Sequence, residues 1–125
     1  MENPILEREL LSLREVIYNS SEAYRDNIAL QIRVGNAFSN ITYGEMWKKV
    51  NAIAKSLIKN GVKKGDNIGV IGPNRPEWAL SYLAIHASGG IIIPIDSKLK
   101  EKEVLNIIQI SKITKIITAT DHFYM

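Results

Sequence analysis

The 125-residue sequence contains no cysteine, which removes disulfide staples, thiolate metal sites and a thiol nucleophile together. Long apolar runs are lacking as well. The densest, Gly89-Gly90-Ile91-Ile92-Ile93-Pro94-Ile95, is far shorter than the roughly 18–20 residues a membrane span needs. The opening Met1-Glu2-Asn3-Pro4 lacks the basic-then-apolar pattern of a secretory signal, so a reducing, cytoplasmic setting is expected. Histidine is scarce: His86 and His122 stand far apart without thiol companions, and both read as structural rather than metal-binding. An excess of one charge is also missing. The net charge is +3; up to residue 62 there are eight Lys and Arg against seven Asp and Glu, and beyond it eight against six. The order of residues concentrates no basic face, and nucleic-acid binding is not expected.

What is present is the composition of one soluble globular domain, 46% hydrophobic and 23% charged, so residues 1–125 are read as a single domain. Leu6, Leu10, Leu13 and Ile17 recur at helical spacing, predicting a helix over residues 5–24. Ser12 with Glu15 makes a capping box that starts the helix later and leaves residues 1–11 as a separate helix or arm. Ile28, Leu30, Ile32 and Val34 alternate, predicting a strand with those four inward; Gly35-Asn36 turns it into a shorter strand around Phe38 to Ile41, a hairpin. Thr42 with Glu45 is a second capping box. It heads a helix with Met46, Trp47, Val50, Ile53, Ala54, Leu57 and Ile58 inward, lysines outward and Gly61 as its stop.

Three short apolar runs follow, Asn67 to Gly72, Ile91 to Ile95 and Lys115 to Ala119, each reading as a buried parallel strand. Between the first two lies an almost wholly apolar helix, Trp78 to Ala87, with Asn74 as its expected N-cap and Pro76 in its first turn. Between the last two lies a helix over residues 99–111 with Val104, Leu105 and Ile108 inward. Pro94 cannot donate to a ladder, which puts it near a strand end or at a sheet edge. The fold class that follows is α/β: a three-layer, doubly wound sheet with a parallel βαβαβ core over about residues 67–119, preceded by a helix, a hairpin and an amphipathic helix.

In such sheets ligands collect beyond the carboxyl ends of the strands, here at 72–75, 96–98 and 120–122. No G-x-G-x-x-G follows the first parallel strand, no G-x-x-x-x-G-K-[ST] occurs anywhere, and Pro73 removes a backbone donor where a phosphate would want one. Asn74 and Arg75 could meet an anion at a helix N-terminus, but capping plus a surface charge is the plainer reading; Asp96 likewise reads as capping the turn after its strand.

Four segments in order, Ile41-Thr42-Tyr43-Gly44-Glu45-Met46, Gly65-Asp66-Asn67-Ile68-Gly69-Val70, Asn74-Arg75-Pro76-Glu77-Trp78 and Gly89-Gly90-Ile91-Ile92-Ile93-Pro94-Ile95-Asp96, resemble the start of AMP-forming acyl-adenylating enzymes. That superfamily holds the acyl-CoA synthetases, firefly luciferase and peptide-synthetase adenylation domains. The resemblance covers about residues 12–119, and the Asn-Arg-Pro-Glu-Trp form is similar to the long-chain fatty acid CoA ligase branch. The stretch His86-Ala87-Ser88 before Gly89-Gly90 departs from the leucine, lysine and alanine of many relatives, which bears on the branch more than on the family.

The resemblance implies a two-step ligase reaction in the full enzyme. A carboxylate attacks the α-phosphate of ATP, with magnesium present, to give acyl-AMP, and the CoA thiol then displaces AMP. It also implies that the family's phosphate loop, magnesium-binding segment, ribose-binding aspartate and catalytic lysine lie downstream of the matched region. No catalytic or metal residue is therefore carried over, and no cofactor is expected on this segment itself. The matched positions, Thr42, Tyr43, Glu45, Gly65, Asp66, Asn74, Arg75, Pro76, Glu77, Trp78, Gly89, Gly90, Pro94 and Asp96, are expected to build the fold by caps, packing and close backbone approach. The chain is expected to be inactive alone. Its partner would be the rest of the ligase chain, with a fatty acid as the full enzyme's substrate, and that substrate could bring the full enzyme to a membrane. Three other readings stay open: another acyl-adenylating branch, a non-catalytic interaction module that dimerises through an exposed apolar face, and a small CoA- or nucleotide-binding domain.

Overall fold

The structure, a computed structural model, describes residues 11–119. The chain begins with α1 (Leu13–Ala23), where Ser12 Oγ accepts from the Glu15 N–H at 3.2 Å and the Glu15 carboxylate accepts from the Ser12 N–H at 2.8 Å. This reciprocal pair satisfies two of the unbonded donors at a helix start, so the helix opens at Leu13 rather than at residue 5. Residues 5–10 of the longer expected helix lie outside the described residues.

The hairpin is β1 (Ile28–Val34) and β2 (Ala37–Thr42), an antiparallel pair that forms its own two-stranded sheet. The turn between them places Gly35 at φ 62°. The alternation expected of β1 is broken by a register shift between Ile28 and Leu30. Ala29 and Leu30 now both pack on the core, while Ile28 and Val34, expected inward, are 52% and 62% exposed. The bulge accounts for Ile28, which falls on the other face from Leu30 and Ile32, whereas Val34 is exposed at the turn end of the strand.

In α2 (Tyr43–Lys59), Thr42 and Glu45 close the second capping box with two hydrogen bonds of 3.2 Å. Met46, Val50 and Ala54 are buried, whereas Ile58, expected inward, is 54% exposed. Helix geometry explains it. Two steps of four from Val50 drift about 80° off the buried line, while a step of seven returns Leu57 to within about 20° of it.

The second sheet holds β3 (Asn67–Ile71), β4 (Ile91–Ile95) and β5 (Lys115–Thr118), all parallel and ordered β4-β3-β5. The edge place of β4 accommodates Pro94. The crossovers are α3 (Pro76–Ala87) and α4 (Glu101–Ile110). Alternate residues of β3 feed different layers. Ile68 and Val70 pack with Ile85 of α3, Ile92 and Ile117, whereas Ile71 packs with Ile95 and with Val104 and Ile107 of α4. The two helices therefore cover opposite faces, and the three-layer α/β fold is the one expected.

Two details differ. The N-cap position of α3 is Arg75, one residue later than expected, and no side chain caps it; Pro76 at the first helical position sets the boundary. In α4, Leu105 is 50% exposed and Ile107 turns inward instead, since Val104, Ile107 and Ile108 make the i, i+3, i+4 face. Among the described residues no helix is long and apolar enough to cross a membrane.

Candidate functional site

The order β4-β3-β5 contains a reversal: the chain leaves β3 for β4 on one side and then crosses back to β5 on the other. Strands whose connections run in opposite directions leave a crevice at their carboxyl ends, the usual ligand position in open parallel sheets. A cavity of about 560 Å³ lies there, between the ends of β3 and β5, with Gly72, Pro73, Arg75, Trp78, Ser81 and Thr118 around it. Its size falls within the roughly 300–1,000 Å³ of small-molecule pockets.

Each wall follows from the local sequence. The chain leaves β3 through Gly72 and Pro73, and Pro76 starts α3 at once, so Arg75 and Trp78 come to the crevice from the first turn. The Trp78 ring stacks on Tyr82 one turn on, at 5.4 Å between centroids, which fixes its orientation. The Ser81 hydroxyl donates to the Glu77 carbonyl at 2.7 Å, so a polar atom in an apolar helix is satisfied without leaving the wall. Arg75 Nε lies 3.4 Å from Glu77 Oε2, in a pair whose side chains are 57% and 69% exposed. Pairing that open holds the guanidinium weakly.

A second groove, of about 530 Å³, lies between the ends of β3 and β4 and shares Trp78 with the first. Asn74, Pro94, Asp96 and Lys98 border it. Asp96 Oδ1 accepts from the Lys98 N–H at 2.9 Å, the turn-capping role expected of it.

The positions singled out in the sequence thus fall into three places. Asn74, Arg75, Pro76, Glu77, Trp78, Pro94 and Asp96 gather at the carboxyl ends of the strands. Gly65, Asp66, Gly89 and Gly90 meet at the opposite end, where the Gly65 N–H donates to the Gly89 carbonyl at 2.9 Å and the Ile91 N–H donates to the Asp66 carbonyl at 2.8 Å. Thr42, Tyr43 and Glu45 start α2, and the Tyr43 N–H donates to the Asn27 carbonyl at 3.0 Å. The sequence reading missed Ser81 and Thr118. The signal for Ser81 was a serine in the largely apolar run Trp78 to Ala87.

The described residues do not fit a magnesium-bound nucleoside triphosphate. No three His, Asp or Glu side chains among them converge as a metal site. Pro73 lacks an N–H at the strand end, and the start of α3 is preceded by no glycine cradle.

Against known proteins, the model of the family described as "AMP-binding enzyme" matches residues 17–124. Among curated proteins, the equisetin synthetase of Fusarium heterosporum is 34% identical over 93 residues, 74% of this chain but 2% of that protein. A long-chain-fatty-acid CoA ligase of Mus musculus is 24% identical over 111 residues, 89% of this chain and 17% of the ligase. Among solved structures, the fatty acid AMP ligase from Legionella pneumophila superposes with a TM-score of 0.82 at 21% identity, over 98% of this chain and 22% of that one. That last likeness is one of fold. The chain spans about a fifth or less of the length of each of these proteins.

Proposed function

The chain belongs to the AMP-binding enzyme family, and from that premise we propose that it forms the first part of the N-terminal subdomain of an ATP-dependent acyl-adenylating ligase. The observation that carries this reading is the family match itself, which runs through the hairpin, α2 and all three parallel strands. ATP, magnesium and, for a thioester product, CoA would be held by parts of the enzyme other than the described residues. This segment's contribution is a rigid sheet whose strand ends carry the Trp78 cleft.

The finer reading is a long-chain fatty acyl substrate. The Asn74-Arg75-Pro76-Glu77-Trp78 segment and the relationship to a long-chain-fatty-acid CoA ligase support it. A second reading, another acyl-adenylating branch, is favoured by the higher identity to equisetin synthetase. Carboxylate-dependent exchange of labelled pyrophosphate into ATP, measured on the native protein that carries this segment, separates the two. Exchange that rises with fatty acid chain length is the expected result. Exchange only with amino or aromatic acids would transfer the enzyme to the second branch, and no exchange with any carboxylate of the panel would overturn the ligase proposal.

A further inference from the structure

The amino ends of the three parallel strands and the carboxyl ends of α2, α3 and α4 share one end of the molecule, opposite the cleft. The fold collects there what the sequence spreads out. Lys59 ends α2, Lys63 and Lys64 precede β3, Lys112 follows α4, and Lys115 opens β5. Contacts tie these segments together. Lys64 lies against Gly89, Lys115 reaches toward Gly61, and Asn67 Nδ2 donates to the Ser111 carbonyl at 2.6 Å. Asp66 is the one acid in those connecting segments, and its carboxylate already accepts from the Lys63 N–H at 2.8 Å. Acids of the two crossover units sit at the other end instead, with Glu77, Glu101 and Glu103 in first turns and Asp96 after β4. None of the five lysines forms an ion pair among the described residues.

Apolar side chains are interleaved with this charge. Ile58, Ile91 and Ile110 are 54%, 50% and 73% exposed at the same end. Lys112 adds a conformational observation. The residue after the C-cap is Gly61 in α2 and Gly89 in α3, at φ 95° and 86°, but in α4 it is Lys112 at φ 51°, the only described non-glycine residue with positive φ. Glycine is the residue that fits this place without strain. Attraction between lysines and helix carboxyl ends accounts for Lys59, which lies in the last turn of α2. It gives no reason for a lysine in a glycine position.

We propose that this end is a docking surface for an anionic lipid bilayer, with the lysines against headgroups and the three isoleucines at the headgroup–acyl boundary. Cations beside short apolar side chains suit that boundary. A single-stranded nucleic acid would want aromatic platforms, and none of these loops or helix ends carries Phe, Tyr or Trp.

Flotation of the native protein that carries this segment with phosphatidylcholine vesicles, with or without about 30% phosphatidylserine at about 150 mM salt, tests it. Binding to the anionic vesicles alone is expected. Lys63→Glu with Lys64→Glu should lower the bound fraction about tenfold. Lys48→Glu with Lys49→Glu, an equal charge change on the first half of α2, should leave it within about twofold. Lys112→Gly should weaken binding while melting at the same or a higher temperature, which separates docking from folding. Ile110→Ser should also weaken it. Three results would each overturn the proposal: no binding to anionic vesicles, an equal loss from the Lys48 and Lys49 pair, or an unchanged bound fraction in Ile110→Ser.

Discussion

Ile85→Ala is expected to lower the unfolding free energy by about 2–5 kcal/mol, and to lower the melting temperature by on the order of 10 °C. Ile85 is 0% exposed and packs with Ile68, Val70 and Val62, so it ties α3 to the central strand and to the loop entering it. The deleted carbons would leave a cavity closed on all sides, and a site so enclosed collapses little. Its backbone carbonyl accepts from the Ser88 hydroxyl at 2.7 Å and from the Gly90 N–H at 3.0 Å, bonds that a side-chain substitution leaves in place, so the change acts through packing. Leu105→Ala provides the contrast: that side chain is 50% exposed, and a change within about 0.5 kcal/mol is expected. Denaturant unfolding of both variants checks the pair, and equal effects would mean that the α3 layer is not where the core is closed.

Gly90→Val is the second large effect, and its cause is the reverse. A Cβ at Gly90 would lie 3.1 Å from Ile85 Cγ2, 3.2 Å from Ile68 Cγ1 and 3.4 Å from the Asp66 carbonyl oxygen. That oxygen cannot retreat, because it accepts the Ile91 N–H at 2.8 Å, the bond that sets β4 beside β3. Both isoleucines are fully buried. Alanine at this position is expected to cost about 1 kcal/mol net, since overpacking is partly offset by the entropy removed from the unfolded chain. Valine adds two more carbons to the same contacts and is expected to cost about 3 kcal/mol or more. A Gly90→Val protein that melts like the parent would show that the approach of Gly90 to Ile68 and Ile85 is looser than these distances.

The elements legible in the sequence were those with both a period and a punctuation mark. Thr42 with Glu45 and Ser12 with Glu15 marked helix starts by a chemistry that depends on three residues of spacing. The β-branched run at Ile68 gave β3 because a strand buried on both faces needs no alternation, while the runs at Ile91 and Ile116 gave β4 and β5, edge strands in which Ile91 and Ile116 are exposed, so β4 is not the buried strand expected. Misses arose where tertiary geometry decided. Ile28 was turned out by a bulge that alternation cannot reveal, Val34 lies exposed at the end of the hairpin beside the Gly35 turn, and Ile58 lost its place to Leu57 through helical drift. The expected cap at Asn74 gave way to Arg75 because Pro76 fixed the helix boundary.

The same holds for the sites. The loops after β3 and β4 were identified from topology alone, since strand-end crevices belong to this sheet type. That the cleft opens between β3 and β5 depends on the strand order β4-β3-β5, which sequence order does not contain. The lysine-rich end was invisible for a related reason. Lys59, Lys63, Lys64, Lys112 and Lys115 are separated by more than 50 residues at their extremes and are joined only by the return of α4 to the start of β5.

The central claim is that this segment supplies scaffold and cleft while the adenylating chemistry resides in other parts of the ligase. The most direct measurement is ATP–pyrophosphate exchange by the 125-residue chain alone, with magnesium and a saturating fatty acid, after its fold has been verified by a cooperative melting transition. No exchange above the carboxylate-free background is predicted. Exchange that depends on the fatty acid would contradict the account and place a complete adenylating site within these residues.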